Sequence, residues 1–151
     1  MARIPYGQYT RAIQDVILND ASIIKYGVTV DIGRPPTLGL GMMPHIGIYE
    51  GSRFPSPGQT IAAGTRIRYN LNWNVWVAIF SGAGYADALD QRDEILGVLE
   101  ITMMKNRDLG GLLPNKPLNL GGGDLRSGPG SGGFIAEGSL SLSLEVEGSS
   151  S

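Results

Sequence analysis

The stretch Thr65–Phe80 constrains the fold more than any other part of the chain. Its odd positions, Ile67, Tyr69, Leu71, Trp73, Val75, Val77 and Ile79, all suit burial. Its even positions begin polar (Arg66, Arg68, Asn70, Asn72, Asn74) and end apolar (Trp76, Ala78, Phe80). Successive strand side chains point to opposite faces of a sheet, so the pattern describes a strand with one face buried throughout. Sixteen residues at about 3.3 Å each would span roughly 50 Å, well beyond a usual strand of five or six residues. Two arrangements fit. Either the first half projects from the domain while the second is buried on both faces, or a bulge divides the strand.

The closing segment Ala136–Val146 alternates in the same way, with Leu140, Leu142, Leu144 and Val146 on one side and Ser139, Ser141, Ser143 and Glu145 on the other. Val28–Ile32 and His45–Glu50 read as two short strands. A first helix is expected over Thr10–Asn19, with Ala12, Ile13, Val16 and Ile17 on one face and Thr10 as N-cap. A second is expected over Asp87–Met104, capped by Asp87 and packing through Leu89, Leu96, Leu99 and Met103 with Ile95 and Val98. Lys105 and Arg107 near its end suit the negative end of the helix dipole.

Gly33–Pro44 and Gly51–Gly64 are broken by glycine and proline into loops. Residues 107–133 form a longer Gly/Pro-rich loop, and the terminal glycine and serines are expected to fray. The expected architecture is therefore α+β: a mainly antiparallel four-stranded sheet with two helices packed on one face, and long loops, in one domain over residues 1–151.

Composition narrows the function classes. The 151 residues include no cysteine and a single histidine, His45, so disulfides, thiolate metal sites and a cysteine nucleophile are excluded. The net charge of -2 argues against a basic nucleic-acid binder. No apolar run reaches the roughly 18 residues of a membrane span, and the N-terminus lacks the apolar stretch of a signal peptide, which points to a reducing cytoplasm.

Several short patterns resemble catalytic signatures and lack their context. The Gly128–Gly133 run would need a strand before it and a helix after it to hold a pyrophosphate, and the expected order is loop then strand. Gly121–Asp124 fails likewise. Ser81 lies between a strand and a helix, as a nucleophile elbow does, but Ile79 and Ala83 stand where glycines are needed. Asp87, Asp90, Asp93 and Glu94 read more simply as a cap and a solvated helix face than as a cation site. No catalytic, cofactor-binding or metal-binding residue is assigned.

What remains is surface. Arg66 and Arg68 with Asn70, Asn72 and Asn74 line one face of the long strand. This is either the solvent face of an exposed strand or a row that contacts phosphates or an acidic partner, the net charge favouring a protein over DNA. Residues 1–86 hold seven Lys/Arg against four Asp/Glu, a balance of +3; residues 87–151 hold five against ten, a balance of -5. Unlike-charged faces suit head-to-tail packing of identical subunits, which closes into a ring when the rotation allows.

The order of these elements resembles the tail-terminator (tail-completion) proteins of long-tailed bacteriophages. The opening helix Thr10–Asn19, the strands Val28–Ile32 and His45–Glu50, and the aromatic-rich strand Asn70–Phe80 carry the resemblance. The helix Asp87–Met104, the variable loop and the closing strand Ile135–Glu147 complete it. It implies a non-enzymatic virion protein of the tail or neck, assembled in the host cytoplasm. It would form a hexameric ring that caps the tail tube and joins it to the head connector.

The implied partners are copies of itself, the tail tube protein and a head-completion or connector protein, with DNA only passing through the channel and no cofactor or membrane. Carried onto this chain, Arg66, Arg68, Asn70, Asn72 and Asn74 would form the subunit or tube contact. The docking loops would present Arg34, Leu38, Met42 and Met43, then Arg53 and Phe54, then Leu112, Leu113 and Arg126. One alternative is another ring protein of the head–tail junction or tail tube. An alternative of a different class is a small-molecule-binding domain or enzyme, with Trp73, Trp76 and His45 lining a pocket.

Overall fold

The computed structural model describes residues 2–3, 5–33, 39, 41, 43–55, 66–113 and 117–150. In chain order these form β1 (Ala2–Arg3), α1 (Tyr6–Leu18), α2 (Ala21–Ile24), β2 (Thr29–Ile32), β3 (His45–Pro55), β4 (Arg66–Ser81), α3 (Tyr85–Lys105), β5 (Asn119–Gly121), β6 (Leu125–Gly130) and β7 (Gly133–Ser150). The class is α+β, as expected, but the described residues form a seven-stranded sheet and three helices where four strands and two helices are expected. The sheet is mixed: its path runs β1-β7-β4-β3-β2, with β5 and β6 also paired to β7. Among the described residues β2 with β3 is parallel and the other strand pairs are antiparallel.

The backbone of the sheet is the ribbon of β4 and β7, paired without interruption from Arg66 opposite Ser149 to Ser81 opposite Phe134. No bulge divides β4. The irregularity falls in its partner β3, between Glu50 and Arg53. Before it, Ile46 and Ile48 lie opposite Val77 and Val75; after it, Arg53 lies opposite Leu71 and Phe54 opposite Asn70. One extra residue in β3 therefore exchanges which of its side chains face each side, as a bulge must.

The odd residues of β4 and the even residues of β7 form the core face. Leu71, Trp73, Val75, Val77 and Ile79 are buried there beside Leu140, Leu142, Leu144 and Val146. The helices cover this face. Helix α1 contributes Ile13 and Ile17, and α3 contributes Ile95, Leu99 and Met103. A Cβ on Gly138, opposite Val77, would meet Leu96 at 3.0 Å, which places α3 directly on β7. The Trp73 indole Nε1 donates to Thr10 Oγ1 at 2.9 Å, and the Tyr6 ring stands edge-on to Trp73 with centroids 5.1 Å apart. Those contacts fix α1 to the middle of β4.

Several boundaries differ from expectation. Helix α1 begins at Tyr6, and Pro5 takes the capping position; Thr10 lies inside the helix and donates to the Tyr6 carbonyl at 3.0 Å. Its hydroxyl serves Trp73, a tertiary demand that period counting does not register. Helix α3 starts at Tyr85 after Gly84, so Asp87 stands in the first turn. There Asp87 accepts from the Ser81 hydroxyl and from Gln91 Nε2.

A third helix, α2, follows α1. Its cap Asp20 accepts from the Ser22 backbone N–H at 2.9 Å and from Thr102 Oγ1 of α3 at 2.8 Å. Hydrogen bonding, above all from the Ser22 side chain, holds the Asp20 carboxyl below its ordinary value.

The expected long loop is the largest correction. It contains β5 and β6, both on the outer edge of β7. Leu109, Leu113 and Leu118 are buried, and they tie the segment after α3 to the core. The glycines answer to close approach: a Cβ on Gly123 would lie 2.2 Å from the Ser139 carbonyl oxygen. Ser131–Gly132 then closes the β6–β7 hairpin, with Gly132 at φ +81°, a region that favours glycine. The expected frayed tail is also paired: Ser149 and Ser150 extend β7, with Arg3 and Ala2 opposite them.

Candidate assembly surface

The row singled out on β4 lies on the face that none of the three helices covers. Arg68, Asn70, Asn72 and Asn74 stand in register with Glu147, Glu145, Ser143 and Ser141 of β7, and Arg66 with Ser149. Arg68 and Asn74 are exposed, while Asn70 and Asn72 are half-buried. Phe54, opposite Asn70 in β3, joins the same face and is 42% exposed. The bulge in β3 puts it there; in unbroken alternation with Ile46 and Ile48 it would face the core side.

Asn72 is committed within the protomer. Its Oδ1 accepts from the Ser52 backbone N–H at 2.8 Å and its Nδ2 donates to Ser52 Oγ at 2.8 Å, closing the β3 bulge. The Tyr6 hydroxyl donates its one proton to the Asn72 carbonyl, with the Ser52 carbonyl 3.3 Å away, tying the start of α1 to the same place. Burial is the main cause that pushes the Tyr6 hydroxyl above its ordinary pKa. Asn72 thus organises the surface from behind, and Arg68, Asn70, Asn74 and Phe54 present it.

Towards the other end of the same face the polar row is covered. Ser139 is buried and accepts from the Asp124 N–H at 2.9 Å; Ser141 donates to the Gly122 carbonyl at 2.9 Å. The Arg126 guanidinium lies 5.5 Å from the centroid of the Trp76 ring, a cation–π contact. Arg126 was expected in a docking loop; it is a strand residue of β6 opposite Glu137. His45 is 3% exposed, with Nδ1 2.7 Å from Thr29 Oγ1 and 3.7 Å from Asp31 Oδ2.

The pocket imagined between Trp73, Trp76 and His45 does not form. Trp73 is buried towards α1, whereas Trp76 and His45 lie on the opposite face of the sheet. The Ser81 hydroxyl donates to Asp87 and accepts from the Ala83 N–H at 3.1 Å, which closes an ordinary β-to-α turn. Among the described residues no group of three or more His, Cys, Asp or Glu is arranged to hold a metal ion.

Of the other docking residues, Arg34, Leu38 and Met42 lie outside the described residues, and Met43 is half-buried. Arg53 belongs to β3, and its guanidinium sits 4.8 Å from the centroid of the Tyr69 ring. Leu113 is 8% exposed and so is buried rather than presented, whereas Leu112 is half-buried against the core.

Sequence reasoning missed an apolar groove of about 410 Å³ between α3 and β5. Ile101 and Met104, on the outward side of α3, are 56% and 59% exposed beside it. Both were hidden inside a helix read only for its buried face. No helix among the described residues is long and apolar enough to cross a membrane. No protein-family model matches the chain, and no curated protein matches it either.

Proposed function

We propose that this protein is a structural subunit of a long-tailed phage tail, a tail-terminator-like protein that forms a ring, caps the tail tube and presents a surface to the head connector. The observation that carries this reading is the two-faced β4–β7 ribbon. One face is consumed by the protomer's own helices; the other ends in the exposed Arg68, Asn74 and Phe54 around a half-buried Asn70. A subunit that works by contact needs a rigid platform whose presented side chains do not also hold the fold. The charge balance of +3 over residues 1–86 and -5 over 87–151 further favours unlike surfaces meeting between copies. The ring number of six comes from the resemblance in element order.

The test is negative-stain electron microscopy with native mass over a concentration series, alone and with purified tail tubes. Wild type should give rings of about six subunits or occupied tube ends. The double variant Arg66→Glu/Arg68→Glu should lose both while keeping its circular dichroism. Wild-type protein that stays monomeric and leaves the tube ends bare would refute the reading. Rings that bind isolated connectors but not tube ends would move the protein to another position in the head–tail junction.

A further inference from the structure

We propose that the groove between α3 and β5 receives the outer end of β3 and β4 from a second copy of this chain, with Phe54 as the anchor. The inference rests on the ring reading above and names the surfaces that would join its subunits. Ile101 and Met104 project from α3 into solvent beside Leu120 and Leu140, leaving an apolar groove that nothing among the described residues fills. Its volume of about 410 Å³ accommodates an aromatic side chain. Gly121 and Gly122 line the opposite wall and leave backbone accessible there.

Phe54 suits this site in shape, and the surroundings suit it in charge. Exposed aromatic anchors seated in apolar pockets carry a large share of the energy of protein interfaces. On the sheet, Arg68 stands diagonally next to Phe54 on the same face, because Phe54 is opposite Asn70. The groove wall carries Glu100, on a helix that also bears Asp90, Asp93 and Glu94. An aromatic group beside a cation thus meets an apolar floor beside a carboxylate.

The protomer cannot make this contact with itself. Phe54 is on the face without helices, while the groove opens on the helix side at the β5 edge. Two different patches in contact give a head-to-tail interface, which propagates around a ring where a self-symmetric one would stop at a dimer.

The chain has no cysteine, so engineered thiols test the contact directly. Phe54→Cys protein mixed with Met104→Cys protein should form an intermolecular disulfide on mild oxidation, and Leu18→Cys mixed with Met104→Cys should not. Phe54→Ala should weaken association on the order of 30-fold, the loss typical of an interface hot spot. Arg68→Glu and Glu100→Lys should each disrupt rings, and the two together in one chain should restore them.

Rings that persist in Phe54→Ala without cross-linking would overturn this interface and leave the ring reading standing. A failure of the charge swap to rescue would overturn the pairing. Protection of the groove by tail tubes without cross-links between copies would assign it to the tube protein and overturn the proposal. Wild type without rings, alone or on tubes, would remove both readings together.

Discussion

The two faces of β4 share one backbone and one register with β7, yet they have opposite fates. On the odd face, Leu71, Trp73, Val75, Val77 and Ile79 are sealed under α1 and α3. On the even face, the residues from Arg68 to Asn74 stay half-buried or exposed, and the cover over Trp76 and Ser139 comes from β6 and the β5–β6 connection. The difference teaches that one strand can commit one row of side chains to its own core while the other row stays partly in solvent. Most of the burial lies on the odd face, so substitutions at the exposed even-face positions Arg68 and Asn74 should change the stability of the monomer little.

Three substitutions test that separation, taken from the largest expected effect to the smallest. Trp73→Ala removes the largest side chain buried on the covered face and leaves Thr10 without its indole partner. Urea unfolding should show a loss of about 3–5 kcal/mol. A loss under about 1 kcal/mol would mean the helices are held by something other than this face.

Asp20→Ala tests how the helices are joined to one another on the covered side. It deletes the α2 cap and the bond to Thr102 of α3, and should cost about 1 kcal/mol at neutral pH. The folded carboxyl titrates below its ordinary value of 3.8, so its contribution is full at higher pH and is lost as pH falls through the folded pKa. The gap between variant and wild type should therefore narrow below pH 3.8 in a pH series of unfolding curves. A gap that widens on acidification would reverse the assigned role.

Asn74→Ser is the smallest. Asn74 is exposed on the even face, so its replacement should change monomer stability by less than about 0.5 kcal/mol. A loss above about 1 kcal/mol would show that this end of the face belongs to the protomer's own structure, as Asn72 already does.

The candidate surface was only partly legible in the chain. The row Arg66, Arg68, Asn70, Asn72 and Asn74 could be placed on one face from alternation alone, because side-chain direction in a strand is a local property. Phe54 could not, because its side depends on the bulge, and the bulge depends on how Ser52 meets Asn72 twenty residues on. Ile101 and Met104 could not either, because an exposed apolar residue on a helix has the same letters as a buried one.

The segment 107–133 misled for a related reason. Its glycines suggested freedom, while Leu109, Leu113 and Leu118 carried the burial and Gly123 met a neighbour too close for a side chain.

The sequence by itself determined the long β4 strand, the alternating β7, the two main helices and the α+β class. Each rests on a repeat of two or about 3.6 residues that a single segment can express. Only the tertiary structure decided the parallel pairing of β2, the two extra strands on β7, the burial of Leu113, and the place of Thr10 beneath Trp73. Those outcomes depend on partners far along the chain, and no local period records which backbone edge or buried donor a residue will meet.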